Sequence, residues 1–370
     1  MSDRAAVFRP MKRLDASSLH PFVLGFALLG CTPTTTERSA TSGDGAPASA
    51  AAPSVASPSA GRASGQSVPS APATNTPHSS VAVPPATLPT AERSASSGSD
   101  SAGSAVRACG ALGCQRFESA AAAFDAVLAT SPRVLGIGEA HAQKGSASVA
   151  SSTARFMNEL LPRLAGKASD LVIELWVAAG NCGTVEKEVA ERQKPVVEAQ
   201  AATNQSEFVE LGHRAKALGI EPHALVPTCE EYQTIANAGP NDIDRMLEMI
   251  ARATARQIEA LLERRGRAKT GAAPPLIVAY GGALHNDIAP RLGREHWSFG
   301  PRLDTVTRGA YVELDLIVPE FVKDTETWRA LPWFSAYRAL SPTSDVVLYS
   351  PTKNSFTLIF ARTPQSDTER

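Results

Sequence analysis

Two short stretches place ionisable groups where an apolar run ends: Gly138-Glu139-Ala140-His141 and Gly282-Ala283-Leu284-His285. Each is a Gly-x-x-His that directly follows a buried-strand pattern. A glycine lets the backbone turn sharply at the strand end, and the histidine can then point back over the sheet edge. A neutral imidazole in such a place can accept a proton or ligate a metal. The third group is Glu174, inside the otherwise apolar Asp170–Trp176. Ionised and unpaired there, it would cost on the order of several kcal/mol, so it needs a partner or a raised pKa. Plainer roles compete with these: a strand-end histidine held by one structural hydrogen bond, or Glu174 paired with an arginine of a covering helix.

Other chemistries fit less well. Gly136-x-Gly138 after a strand suggests a dinucleotide fingerprint, but its third glycine position is His141 and Glu139 would face the pyrophosphate. The folded part has no Gly-x-Ser-x-Gly elbow and no His-Glu-x-x-His helix. No Cys-x-x-Cys spacing points to structural zinc.

The elements around these residues read as an α/β domain with a mostly parallel sheet flanked by helices. The clearest strands are Arg133–Gly138, Asp170–Trp176, Pro275–Gly281 and Ala310–Val318, with a shorter one over Ile220–Val226. Val346–Tyr349 and Ser355–Phe360 flank a turn with Pro351 and Asn354, which predicts a C-terminal antiparallel edge hairpin. Residues 147–165 place Val149, Phe156, Leu160 and Leu164 on one helical face. Residues 241–265 predict a helix with Asn241 as N-cap and a stripe of Ile243, Met246, Leu247 and Ile250. In open parallel sheets, ligands bind at the carboxyl ends of the strands. That rule favours Glu139, His141, Glu174, Tyr280, His285, Asn286 and Asp287. His223 lies in or just before the short strand. His213 reads as a solvated helix residue and His296 as a surface one. Pro332–Tyr337 reads as core packing or a lid.

The two Gly-x-x-His motifs, the first with Glu in its second position, and the Ile173-Glu174 strand end resemble the superfamily of Tiki proteases, TraB/PrgY proteins, erythromycin esterases and ChaN haem-binding lipoproteins. The resemblance covers about residues 133 to 318 and is similar above all to the ChaN-like branch, with "LVIELW" and "YGGALHND" in order around a long helical middle. It implies that Glu139, His141, Glu174 and His285 meet in one crevice. His141, His285 and Glu174 could then hold a divalent metal, with Glu139 as general base on a metal-bound water. A metal-free version has His141 as base and Glu174 as its orienter. The ChaN likeness implies haem instead, ligated by His285, Tyr280 or His223.

The ends of the chain bear on where this happens. Arg4, Arg9, Lys12 and Arg13 precede the apolar run Pro21–Gly30 and then Cys31, the layout of an export signal too short to span a bilayer. Leu28-Leu29-Gly30-Cys31 resembles the lipobox of bacterial lipoproteins, which implies cleavage after residue 30 and lipidation of Cys31. Met11 offers a more compact start for the same signal. Residues 31–107 are rich in Ser, Ala, Pro and Thr, and up to Ala105 hold a single Leu and no aromatic, Ile or Met. Such a segment buries too little apolar surface to fold and predicts a disordered tether, spanning roughly 45–50 Å. Residues 108–366 are then one domain. Thr32 after the cysteine, where an aspartate would favour inner-membrane retention, points to the outer membrane or cell surface. A formal charge of −1, moving to −3 when residues 1–30 and their four cations and two anions are removed, gives no reason to expect a nucleic-acid partner. Cys109, Cys114, Cys182 and Cys229 permit two disulfides in an oxidising compartment, the local guess being Cys109 with Cys114 and Cys182 with Cys229. Three functions follow as expectations: a tethered hydrolase of ester or peptide bonds, a haem or iron-compound binder, and a non-catalytic surface module for a small-molecule or peptide ligand.

Overall fold

The computed structural model describes residues 106–146, 148–267, 275–340 and 345–364. The expected signal segment, Cys31 and all of the tether before residue 106 lie outside the described residues.

The domain is built on one sheet of 9 strands. They are β1 (Arg107–Ala108), β2 (Gln115–Phe117), β3 (Val134–Glu139), β4 (Ala168–Trp176), β5 (Glu221–Leu225), β6 (Leu276–Gly282), β7 (Tyr311–Ile317), β8 (Val346–Thr352) and β9 (Ser355–Ile359). Their spatial order is β1-β2-β8-β9-β7-β3-β6-β4-β5. From β9 to β5 every neighbouring pair is parallel, while β1, β2 and the β8–β9 hairpin form an antiparallel end. This is the expected α/β architecture. The hairpin lies within the antiparallel end, β9 against β7 and β8 against β2.

Strands β3, β4 and β6 are apolar on both sides because helices cover both faces. One face packs Leu135, Ile137, Ile173 and Val278 against Phe124 of the helix Ala120–Leu128 and Phe208 of the helix Asn204–Ala217. The other packs Val134, Val172, Ile277 and Ala279 against the helices Cys229–Ala236, Asp242–Arg267 and Gly300–Thr307. The expected stripe of the long helix is buried at Met246, Leu247 and Ile250. Its start is closed by Asp242, whose carboxylate accepts the Ile243 N–H at 2.7 Å, and not by Asn241, which ends a preceding 3-10 turn. The expected helix over 147–165 is α-helical only at Ser152–Arg155, continuing as a π turn (Phe156–Leu160) and a 3-10 turn (Leu161–Leu164). Pro162 has no N–H to give to Asn158, so the regular ladder cannot run through it. Phe156, Leu160 and Leu164 are nonetheless buried as expected. Trp333 and Phe334 belong to a third core cluster beside β8 and β9, so Pro332–Tyr337 is packing.

Both disulfides form as guessed, Cys109–Cys114 and Cys182–Cys229. Among the described residues no helix is long and apolar enough to cross a membrane.

Candidate functional site

Strands β3, β4 and β6 are neighbours in the sheet, and their carboxyl ends carry the polar groups singled out from sequence. Glu139 is the last residue of β3 and is 2 % exposed. Its carboxylate accepts three hydrogen bonds, from His141 Nδ1 at 2.6 Å, Thr153 Oγ1 at 2.7 Å and the Tyr280 hydroxyl at 2.7 Å. Glu139 is therefore committed to orienting His141, where sequence reasoning had it as a free base and gave the orienting role to Glu174. Tyr280 of β6 stacks on Phe156, and its hydroxyl donates the third of these hydrogen bonds.

Because the carboxylate takes the proton on His141 Nδ1, the lone pair of Nε2 faces away from Glu139. That atom is buried and has no hydrogen-bond partner. Burial lowers the His141 pKa, but the charge and hydrogen bond of Glu139, aided by the charge of Glu174, outweigh it and the net shift is upward. His285 repeats the arrangement from the loop after β6. Its Nδ1–H donates to the Trp297 carbonyl at 2.7 Å, and its buried Nε2 has no partner. With no carboxylate on its ring, burial dominates and drives the His285 pKa down to about 4.

Glu174 completes the group from β4. Its Oε2 accepts the Gly282 N–H at 2.7 Å. Its Oε1 is buried without a hydrogen-bond partner and lies 3.9 Å from His285 Nε2. Burial raises its pKa to about 8 against the opposing charge of His141 and the Gly282 hydrogen bond. Gly282 marks the centre: a Cβ there would lie 3.3 Å from His141 Nε2, 3.7 Å from Glu174 Oε2 and 3.7 Å from His285 Cδ2.

The glycines act differently from the sharp turn expected of them. Neither Gly138 nor Gly282, nor Gly281 before it, has a positive φ. Gly138 and Gly281 make room instead. A Cβ on Gly281 would sit 2.9 Å from the Cβ of Glu174 and closer still to its Oε2. One on Gly138 would sit 2.6 Å from Ala283 Cα and 2.7 Å from Asp315 Oδ1, with Asn286 Oδ1 nearer. The bare backbone is a floor over which polar side chains lie.

The structure thus brings together Glu139, His141, Glu174 and His285, with Tyr280 behind Glu139. His223 is elsewhere. Its Nε2 bonds Asp170 Oδ1 at 2.8 Å near the start of β4, where Arg265 also pairs with Asp170. His296 is bound to Asp244, at 2.7 Å.

A second cluster escaped the sequence reading. Asp287 in the loop after β6 meets Glu313 and Asp315 of β7, one donor atom of each lying within 4.8 Å of the others. Burial and the neighbouring Glu313 raise Asp287 to about 7, while burial, then Glu313 and Asp287, lift Asp315 well above the carboxylate range. The available signal was Glu313-x-Asp315: two carboxylates on one face of a strand whose remaining residues are apolar.

No protein-family model, no curated protein and no solved structure matches this chain.

Proposed function

We propose that this protein is an exported, lipid-anchored hydrolase that cleaves an ester or peptide bond with a water held between His141, His285 and Glu174. The observation that carries the proposal is the convergence around Gly282 of the His141, Glu174 and His285 side chains, each of which carries a buried polar atom without a partner: His141 Nε2, Glu174 Oε1 and His285 Nε2. Buried polar atoms in folded proteins are nearly all hydrogen-bonded, so three orphans in one place mark a binding position. With its raised pKa Glu174 keeps a proton at neutral pH. One water could then donate to both imidazoles and accept from the Glu174 hydroxyl, satisfying all three.

In the reaction, His141 Nε2 takes a proton as the water oxygen bonds to the substrate carbonyl carbon. Glu139 holds the imidazole in the required tautomer and stabilises the imidazolium. Collapse breaks the bond to the leaving group, which receives that proton from His141. The four groups are 1–3 % exposed, so substrate entry requires an opening.

A second reading, a divalent metal in the same place, is favoured by the shared tautomer of the two histidines. Each Nδ1–H is fixed on an acceptor so that each Nε2 lone pair faces inward, the usual second shell of a metal-bound histidine. His141, His285 and Glu174 would hold the ion, which would activate water as a Lewis acid. The donor types fit, but the three atoms do not all lie within 4.8 Å of one another, so they would have to close around it. Haem gains less support, since the buried Tyr280 hydroxyl is held on Glu139 and His223 lies away from this site, on Asp170 near the start of β4.

The test is a screen of the full chain, purified without chelator, against ester and peptide panels, with metal analysis and a haemin titration. His141→Ala should keep the fold and lose on the order of 10²–10⁴ in rate, and His285→Ala should also lose activity. If both retain full turnover, the hydrolase proposal is wrong. Activity indifferent to chelator selects the metal-free form, and stoichiometric metal that disappears from the double variant selects the other.

A further inference from the structure

The acidic cluster on β7 is built from side chains other than the histidines, with Asp287 two residues beyond His285. Glu313 and Asp315 project from one face of β7, and Asp287 reaches them from the loop after β6. Glu313 is fastened on both oxygens, accepting the Ile288 N–H at 2.7 Å and the Ser355 hydroxyl at 3.0 Å. Asp287 and Asp315 are half-buried and line a cleft that also holds Arg291, Arg294 and Trp297. Neither arginine makes an ion pair with the three carboxylates among the described residues, and Arg294 instead stacks over Trp297 at 5.1 Å.

A cluster of acids alone would not amount to a site. Asn286 supplies the independent observation. It is 1 % exposed, and its amide Oδ1 has no partner. Its Nδ2 donates to Asp315 Oδ1 at 3.0 Å and to the Gly136 carbonyl at 3.3 Å, which fixes the amide plane. The free oxygen therefore faces the space over Gly138, the same space bordered by Asp315 Oδ1, 2.7 Å from where a Gly138 Cβ would lie. A buried carbonyl oxygen without a donor shares the space over Gly138 with an oxygen of Asp315, in a cluster whose charge Arg291 and Arg294 offset only through space, at Asp287; that is a set of lone pairs that a cation satisfies and a neutral hydrogen-bond donor would satisfy only in part.

We propose that Asp287, Glu313 and Asp315, with the Asn286 amide oxygen as a neutral ligand, form a binding site for a hard divalent cation of the calcium type. The donors are all oxygen, which selects calcium, magnesium or manganese over zinc or copper. Calcium accepts oxygens at about 2.3–2.6 Å in flexible geometry, so ligands on opposite sides of the ion stand up to about 5 Å apart. The carboxylate oxygens, within 4.8 Å of one another, meet that limit without movement. Magnesium, at about 2.0–2.1 Å and octahedral, would demand contraction of any wider pair. The cleft side of Asp287 and Asp315 leaves room for waters in the remaining positions.

The experiment is calorimetric titration of Ca²⁺ into the full chain after dialysis against chelator, paired with thermal unfolding with and without Ca²⁺. The wild type should bind one ion, and its unfolding temperature should rise with Ca²⁺ concentration, as linkage requires. Asp315→Asn and Asp287→Asn should abolish the binding heat and the thermal shift while unfolding cooperatively without calcium. The His141→Ala/His285→Ala double variant should keep both responses, which separates this site from the proposed hydrolytic one. The proposal is overturned if the wild type shows neither heat nor shift. It is equally overturned if binding survives in both aspartate variants, or if it is lost in the histidine double variant.

Discussion

Replacing Gly281 by alanine puts a methyl group where the fold has no space. The new Cβ would stand 2.9 Å from the Cβ of Glu174 on the adjacent strand and closer still to its carboxylate. Glu174 Cβ is fixed by the backbone of β4, which is paired to β6 along Ala168–Ile173, so the clash cannot be relieved by a rotamer change alone. Either the strands part or Glu174 is pushed from its hydrogen bond with the Gly282 N–H. Overpacking of this kind costs about 1–3 kcal/mol. Leaving the buried Gly282 N–H without its acceptor adds about 1–3 kcal/mol. For a domain of this size about 1 kcal/mol corresponds to about 2–4 °C, so the unfolding temperature should fall by roughly 10 °C. Gly212 is the control. It lies within the helix Asn204–Ala217, where a Cβ would be 3.5 Å from Ile173 Cδ1 and 3.7 Å from Pro222 Cβ, an ordinary contact. Gly212→Ala should gain about 0.5–1 kcal/mol, because glycine is the poorer helix former. Scanning calorimetry of the two variants beside the parent decides the matter. A Gly281→Ala protein that unfolds at the parent temperature would refute the glycine-floor account.

Two further outcomes follow from the same geometry. The Glu174 pKa is raised by burial to about 8 in the folded state, so the carboxyl holds a proton that the unfolded chain has already released between its ordinary value and that point. The stability it contributes is fully present at acid pH and is lost as pH rises through about 8; Glu174→Gln should flatten this slope in urea midpoints taken from pH 5 to pH 9, and an unchanged slope would count against the assignment. The Cys182–Cys229 disulfide closes a separation of 47 residues and Cys109–Cys114 one of 5, which on loop-closure entropy are worth about 4 and about 2 kcal/mol. Paired alanine substitutions should therefore destabilise more at the long loop, and the reverse order in urea denaturation would contradict that reasoning.

The parallel strands were legible because each is a short apolar run bounded by polar or glycine residues, and their observed ends fall within a residue or two of those expected. Strands β1 and β2 were not, since two or three residues carry no period. The helices Thr184–Val197 and Asn204–Ala217 were read only as a helical middle without bounds, for another reason: each buries only a few side chains, such as Val189 or Phe208 and Leu211, among many charged positions. The four site residues could be named from the Gly-x-x-His repeat and from the misplaced charge of Glu174. Their roles could not. That Glu139 orients His141 depends on Thr153 and Tyr280, which come from different elements and fill its other oxygen. The acidic cluster was half visible, with Asp287 noted at a strand end but Glu313 and Asp315 absorbed into an apolar run.

The two flanks of the sheet bear on crowding. Among the described residues it ends at β1, two residues long, and at β5, where Glu221 is exposed and Pro222 contributes no N–H. Neither end presents the long, flat ladder of open donors and acceptors onto which a second sheet could grow. For a chain held by a lipid at one surface, as proposed, neighbours would meet at high local density and for long periods. The stunted flanks mean that such meetings need not seed edge-to-edge aggregates.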